Sequence, residues 1–572
     1  MISRRRLIWT RIATGVLLAI GALSPVVAPA QGFGDYPVIY RPAKGAKDLR
    51  AVLFNWTWYM GMLRGVDEHE LISSLEYQGK GTLQVDGQPC TLTKYRVSTS
   101  YQTPGQRVQY MCTRPNGQAY SGIEVVSGKY AWNEDIAGAE LIAGKGKATP
   151  MPDAVEERLI RLWASPQGAP KAAIGSLPNA TPGANPGTLL KDGVDKAGET
   201  SLTWDGGKAV VTYPIPGVPG AIATATLNSK YMAERVVVKQ GSKTTEFTYG
   251  DYQDWNNPLN KVDALYAGKI SESHNGTLVR DLTTTQTETG SVYVVMPVPS
   301  SVKAAIHAAA TSTPAPKPLE ASGETPRMAN GHPDLTGNWN FNAMNWRYGN
   351  RRCGPTQQEG CSRALNQTMD FEFEAPSRWG PNRPIYKPEY WDKVQELDMW
   401  TNKDDPVMSC QPLGVPREGP PRRIVQSAND IIFFYGEYVD GGGGYGEYRV
   451  IPTDDRKHDP KKAIESTYMG YTVGRWEGDT LVLDSISFVD TTWLARGGFF
   501  HSDQMHVIEK LTRKGNQILY EVTVDDPESL VEPWVMTPRT LTLSTFPDAG
   551  LLRERGNCEV YEIKNITSQI RH

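Results

Sequence analysis

Between residues 47 and 63, apolar side chains recur at three- and four-residue steps (Leu49, Leu53, Trp56, Met60), which places them on one face of a helix. Beyond it the period shortens to two. Residues 83–85, 91–98, 107–113 and 122–126 read as strands, with turn pairs Asp86-Gly87, Asn116-Gly117 and Ser127-Gly128 between them. A second helix is predicted over 153–164, with Asp153 able to cap it and Val155, Leu159, Leu162 and Trp163 on one side. Residues 183–198 read as a loop. Alternation returns at 201–204, 209–213, 221–227, 235–239, 244–249 and 291–296. This order predicts an α+β unit, a large antiparallel sheet crossed by a few helices. Trp56, Trp58, Trp132 and Trp163 are expected to fill its core.

Residues 308–327 break the pattern. Their Ala, Pro, Ser and Thr content reads as an extended tether, and we place a linker at 308–330 between domains at 31–307 and 331–572. The second domain carries only strand signals. Residues 476–480 form a hairpin turn, and 481–484 read as a strand buried on both faces. Residues 505–513 and 517–524 pair about a turn at 514–516. Residues 539–544 and 553–561 supply closing strands. The expected fold is therefore β-rich, with a C-terminal antiparallel sheet or closed barrel.

With 572 residues the chain exceeds one compact core, and its net charge of −3 excludes a generally basic nucleic-acid binder. The first thirty residues read as an export signal: Arg4, Arg5, Arg6 and Arg11, then an apolar run over 12–23, then Ala28-Pro29-Ala30. No later stretch is apolar enough to span a membrane, so a periplasmic or secreted mature chain is expected. In an oxidising compartment six cysteines imply disulfides. Chain position pairs Cys90 with Cys112 and Cys353 with Cys361, leaving Cys410 for Cys558. Metal-ligand spacing is absent, and no cofactor is expected.

Two resemblances follow. The N-terminal element order resembles, at fold level, the lipoprotein-carrier half-barrels of bacterial envelopes, which implies an apolar cavity between sheet and helices. In the C-terminal half, Gly331-His332-Pro333-Asp334-Leu335-Thr336-Gly337-Asn338-Trp339, the run from Cys410 through Gly414-Val415-Pro416-Arg417, and Gly474-Arg475-Trp476-Glu477-Gly478-Asp479-Thr480-Leu481-Val482 resemble a broad family of secreted bacterial proteins. Its final E-R element is Glu509-Lys510 here. Gly337-Asn338-Trp339 and Gly474-Arg475-Trp476 are also similar to the opening strand of lipocalin-type barrels.

Candidate chemistry centres on histidine, which titrates near neutrality. His501 follows Gly497-Gly498-Phe499-Phe500, with Asp490 and Glu509 near enough in sequence to orient its ring. His506, five residues on, is a poor joint metal ligand with it. Arg417 or Arg475, with Trp476, would bind an anionic or carbonyl group. Asp440-Gly441-Gly442-Gly443-Gly444 lacks a phosphate-binding context and reads as a loop. The leading reading is an exported protein that binds a small apolar or aromatic molecule. A cofactor-independent hydrolase, lyase or isomerase using His501, and a partner-docking scaffold, are the alternatives.

Overall fold

The computed structural model describes residues 45–62, 72, 74–101, 103–180, 186–255, 265–290, 292–305, 319, 322–340, 383–399, 405–435, 447–495, 497–536 and 538–545. The export signal, Cys353, Cys361, Cys558, the glycine run at 441–444 and the strand expected at 553–561 lie outside them.

Two antiparallel sheets dominate. The first has fourteen strands and is built from two meanders. One runs from Ser74–Val85 to Ala148–Pro150, the other from Lys196–Ala197 to Thr277–Gly290. They join where Thr277–Gly290 pairs with Ser74–Val85. At that junction Gly81 has φ +141°, and a Cβ there would lie 2.0 Å from the Asp281 carbonyl oxygen. Only glycine allows the two backbones to approach so closely.

Helices Leu49–Tyr59, Val155–Ala164 and Gly168–Gly175 pack on this sheet. Asp48 caps the first by accepting from the Ala51 amide at 2.9 Å. Val155–Ala164 buries Leu159, Leu162 and Trp163 as its spacing predicts, yet Arg158 and Arg161 are buried as well. Trp56 and Trp132 are fully buried in packed cores. Cys90 and Cys112 form the expected disulfide.

The second sheet has ten strands and is nearly closed into a barrel. Its edge strands Tyr448–Pro452 and Tyr471–Glu477 lie side by side without ladder pairing. A Cβ on Gly474 would sit 3.2 Å from the Pro452 carbonyl oxygen, so the missing side chain sets that seam. Both predicted hairpins are present: Glu477 pairs with Thr480, and Lys514 with Gln517. Leu481, Val482 and Leu483 are all fully buried.

Two expectations change. Residues 292–299 are extended but belong to no ladder. The alternation is real: Val292, Val294 and Met296 fill one small core, while Tyr293 enters the barrel core. Side chains replace strand partners, since Ser74 Oγ donates to Val292 O at 2.6 Å and Ser127 Oγ to Met296 O at 2.9 Å. The last part of the expected tether is likewise docked. Ser322 exchanges hydrogen bonds with Asn516, and Arg327 grips Asp479 through two contacts of 2.7 and 2.8 Å.

Candidate functional site

Between the first sheet and the helix Val155–Ala164 lies a small pocket open to solvent. Tyr77, Tyr95, Tyr101, Tyr249 and Tyr266 line it with Phe247. Leu75, Ile270 and Leu282 add aliphatic surface. Tyr77, Tyr95 and Tyr249 sit on strands of the first sheet, Tyr101 directly follows the strand ending at Ser100, and Tyr266 belongs to a short strand outside that sheet. Tyr77 and Tyr95 lie on neighbouring strands near Tyr266, with ring centroids 6.1 and 5.1 Å from Tyr77. Burial pushes the Tyr77, Tyr101, Tyr249 and Tyr266 hydroxyls above their usual range, so all remain protonated. Two of them are anchored at their tips: Tyr249 donates to Ala164 O at 2.8 Å, and Tyr101 lies 3.2 Å from Ser165 Oγ.

One wall is charged. Arg161 Nε donates to Glu272 at 3.4 Å, Nη1 to Glu124 at 3.2 Å and Nη2 to Glu157 at 2.9 Å. Arg280 holds Glu272 at 3.3 Å and Glu124 at 3.5 Å. His274 Nε2 lies 2.8 Å from the other Glu272 oxygen. Burial alone would raise the Glu272 carboxyl, but Arg161 and Arg280 outweigh it and hold it well below the usual range. Glu157, Glu272 and His274 have ligand atoms spaced as a cation site would need. The two arginines already neutralise that cluster, which disfavours a further cation. A last wall residue, Gln106, is buried; its Nε2 donates to Thr99 at 3.2 Å while its Oε1 has no partner.

The residues expected at a C-terminal site are dispersed. His501 is buried, with Nε2 2.7 Å from Thr492 Oγ1 and Nδ1 2.8 Å from the Ser502 carbonyl. Burial lowers its pKa more than Ser502, Asp526 and exposed Asp490 raise it. The ring is therefore neutral, with both nitrogens already engaged. Glu509 does not orient it. Its oxygens accept from Arg449 at 2.7 and 2.8 Å and from Tyr520 at 2.7 Å inside the barrel. The cause is strand parity: burial alternates from His506 onward, which turns Glu509 inward. Arg417 is spent on Asp405 through two contacts of 2.7 Å. Arg475 pairs with Glu477 at the exposed surface. Trp476 stacks on His332 with centroids 4.6 Å apart.

Sequence reasoning missed Arg161, Glu272, Arg280 and the tyrosine set. A signal existed for Glu272, which sits two residues from Ile270 and so shares its inward face. Glu418 was missed too. It directly follows the Cys410–Arg417 run, is buried, and has neither carboxyl oxygen hydrogen-bonded. Burial first, and Glu447 second, push its carboxyl well above the usual range.

Cys410 is disulfide-bonded, and no described cysteine is free. No helix among the described residues is long and apolar enough to cross a membrane. No protein-family model matches the chain, and no curated protein does. The family expected from the C-terminal motifs thus rests on those motifs alone. Among solved structures, a LolA superfamily protein from Nitrosomonas europaea is similar over 44% of this chain and 96% of its own, at 11% identity and a TM-score of 0.23.

Proposed function

We propose that this chain binds a small apolar or aromatic molecule in the cavity between its first sheet and the helix Val155–Ala164. The carrying observation is the lining itself: five tyrosines, a phenylalanine and three aliphatic residues around one open-mouthed space. Ring faces supply large rigid contact area at low entropic cost, and pockets lined by aromatic and apolar side chains are the usual seats of small ligands. The Cys90–Cys112 disulfide and the export-like start of the chain support action outside the cytoplasm.

The uncharged dye N-phenyl-1-naphthylamine tests this. It should bind with a saturable rise in fluorescence. Leu282→Trp, which fills the cavity from its wall, should abolish that rise while the far-UV circular dichroism and melting temperature stay close to wild type. A folded Leu282→Trp protein that binds the dye as well as wild type would overturn the assignment; Ile270→Phe provides a second filling variant from the neighbouring strand.

A further inference from the structure

Resting on that binding reading, we infer that the cavity selects amphiphiles whose polar end is uncharged and carries a hydroxyl, and discriminates against carboxylate anions. Two arginines on the wall would ordinarily suggest an anion site, since a guanidinium fork suits a carboxylate. Here that capacity is consumed. Each of the three Arg161 nitrogens already faces a carboxylate, Glu272, Glu124 or Glu157. Both terminal nitrogens of Arg280 face Glu272 and Glu124. Arg158 adds a third cation, spent on the Val125 and Trp132 carbonyls and the Asn133 side chain. Arg161 and Arg280 thus share Glu124, Glu157 and Glu272, and neither guanidinium keeps an open fork for a ligand. A ligand carboxylate entering the cavity would lose its water, find no free fork, and approach Glu272 and Glu124 as a like charge.

The unspent valence is of another kind. Gln106 lines the cavity, is buried, and leaves Oε1 without a partner. A buried amide oxygen in that state is satisfied only by a donor, which an alcohol carries and an ionised carboxylate does not. A hydroxyl suits it doubly, because it can donate and accept. The tyrosines and aliphatic residues would hold the remainder of the molecule. The class is a tail or ring system bearing an alcohol, a phenol or a glyceryl group.

Decan-1-ol and decanoate differ only at the head, so they separate this inference from the binding reading. In competition with N-phenyl-1-naphthylamine at neutral pH, decan-1-ol should displace the dye at a concentration at least tenfold below decanoate. Decanoate competing equally or better, or neither molecule competing against a bound dye, overturns the head-group inference and leaves the cavity reading standing. Absence of dye binding brings down both. Gln106→Leu should weaken decan-1-ol about tenfold, one neutral hydrogen bond's worth, with dye affinity unchanged. An equal loss for alcohol and dye would reduce Gln106 to a packing residue and remove the hydroxyl preference.

Discussion

The Tyr293 hydroxyl donates to the Pro384 carbonyl at 2.9 Å and accepts from the Tyr386 amide at 2.9 Å, while the two rings meet edge to face 5.7 Å apart. Tyr293 comes from the extended segment after the first sheet, and Tyr386 belongs to the barrel core. Arg96 adds a 2.8 Å contact to Asp392, and the Arg107 guanidinium lies 4.6 Å from the Trp391 ring centre. The halves therefore share packing as well as chain. One cooperative unfolding transition is expected, and proteolysis within 308–321 should leave the two pieces associated. Tyr293→Phe should lower stability by about 1–3 kcal/mol, the cost of an unpaired buried amide. Urea unfolding followed by both tryptophan fluorescence and circular dichroism checks this; two separated transitions in wild type would contradict it.

Glu509 and Arg449 face each other in the barrel interior, both buried. Removing one partner strands a charge in a dry core, so Glu509→Ala should destabilise by about 3–5 kcal/mol. Replacing both with apolar residues should cost less than the single change. A double-mutant cycle by equilibrium denaturation gives the coupling directly, and additive single effects would show the pair to be uncoupled.

Asp484 accepts from two imidazoles at one oxygen, His458 at 3.0 Å and His506 at 2.9 Å. The His506 bond pulls the Asp484 carboxyl down to about 2, against some desolvation. The same bond raises His506 above its ordinary 6.5. A depressed carboxyl stabilises above its unfolded value and loses that contribution as pH falls through about 2. A raised histidine stabilises below its unfolded value and loses that contribution as pH rises through its folded one. The pair should therefore contribute most between about pH 4 and 6.5, the unfolded values of its members. Asp484→Asn should lower the melting temperature most within that window, flatten its fall on either side, and return the His506 NMR titration to an ordinary midpoint. An unchanged His506 midpoint would count against the assignment.

Glu418 carries the opposite sign. Unfolded, it ionises near 4.5, whereas the folded chain keeps its proton. Each pH unit above 4.5 therefore favours the unfolded state until the folded value is reached. Glu418→Gln should remove this slope, so its stability relative to wild type should climb between pH 5 and 8. Parallel stability curves for the two proteins would mean that the carboxyl is ionised in the fold.

The Cys90–Cys112 bond closes a loop of 22 residues. Its loss in a Cys90→Ser, Cys112→Ser double variant should cost about 2–4 kcal/mol by chain-entropy reasoning. Peptide mapping without reductant should recover this crosslink. It also tests the pairings proposed for Cys353 with Cys361 and Cys410 with Cys558.

Period-2 alternation located most strands whose two faces differ, and the barrel hairpins were legible from Gly478 and Gly515 at their turns. Alternation failed where polarity hides a strand. Thr277–Gly290 reads as a polar threonine run, yet it joins the two meanders, because β-branched threonines suit a pleated surface whatever their polarity. Residues 292–296 alternate correctly but find side-chain hydroxyls in place of a neighbouring strand. The site was less legible for a related reason. The near-neutral titration of histidine pointed to His501, whereas tertiary folding saturates that ring and gathers tyrosines from separate segments around the open space. Pairwise sequence spacing carries no information on such convergence.

The barrel seam at Gly474 has a consequence for solubility. Two strand edges that would each template another chain are turned toward one another, and Arg449 bridges them by reaching Thr472 while it holds Glu509. The absent methyl and the crossing guanidinium together work as a latch against self-assembly. Any change that wedges the seam open would release two sticky borders at once, and the failure it invites is polymerisation before loss of the fold.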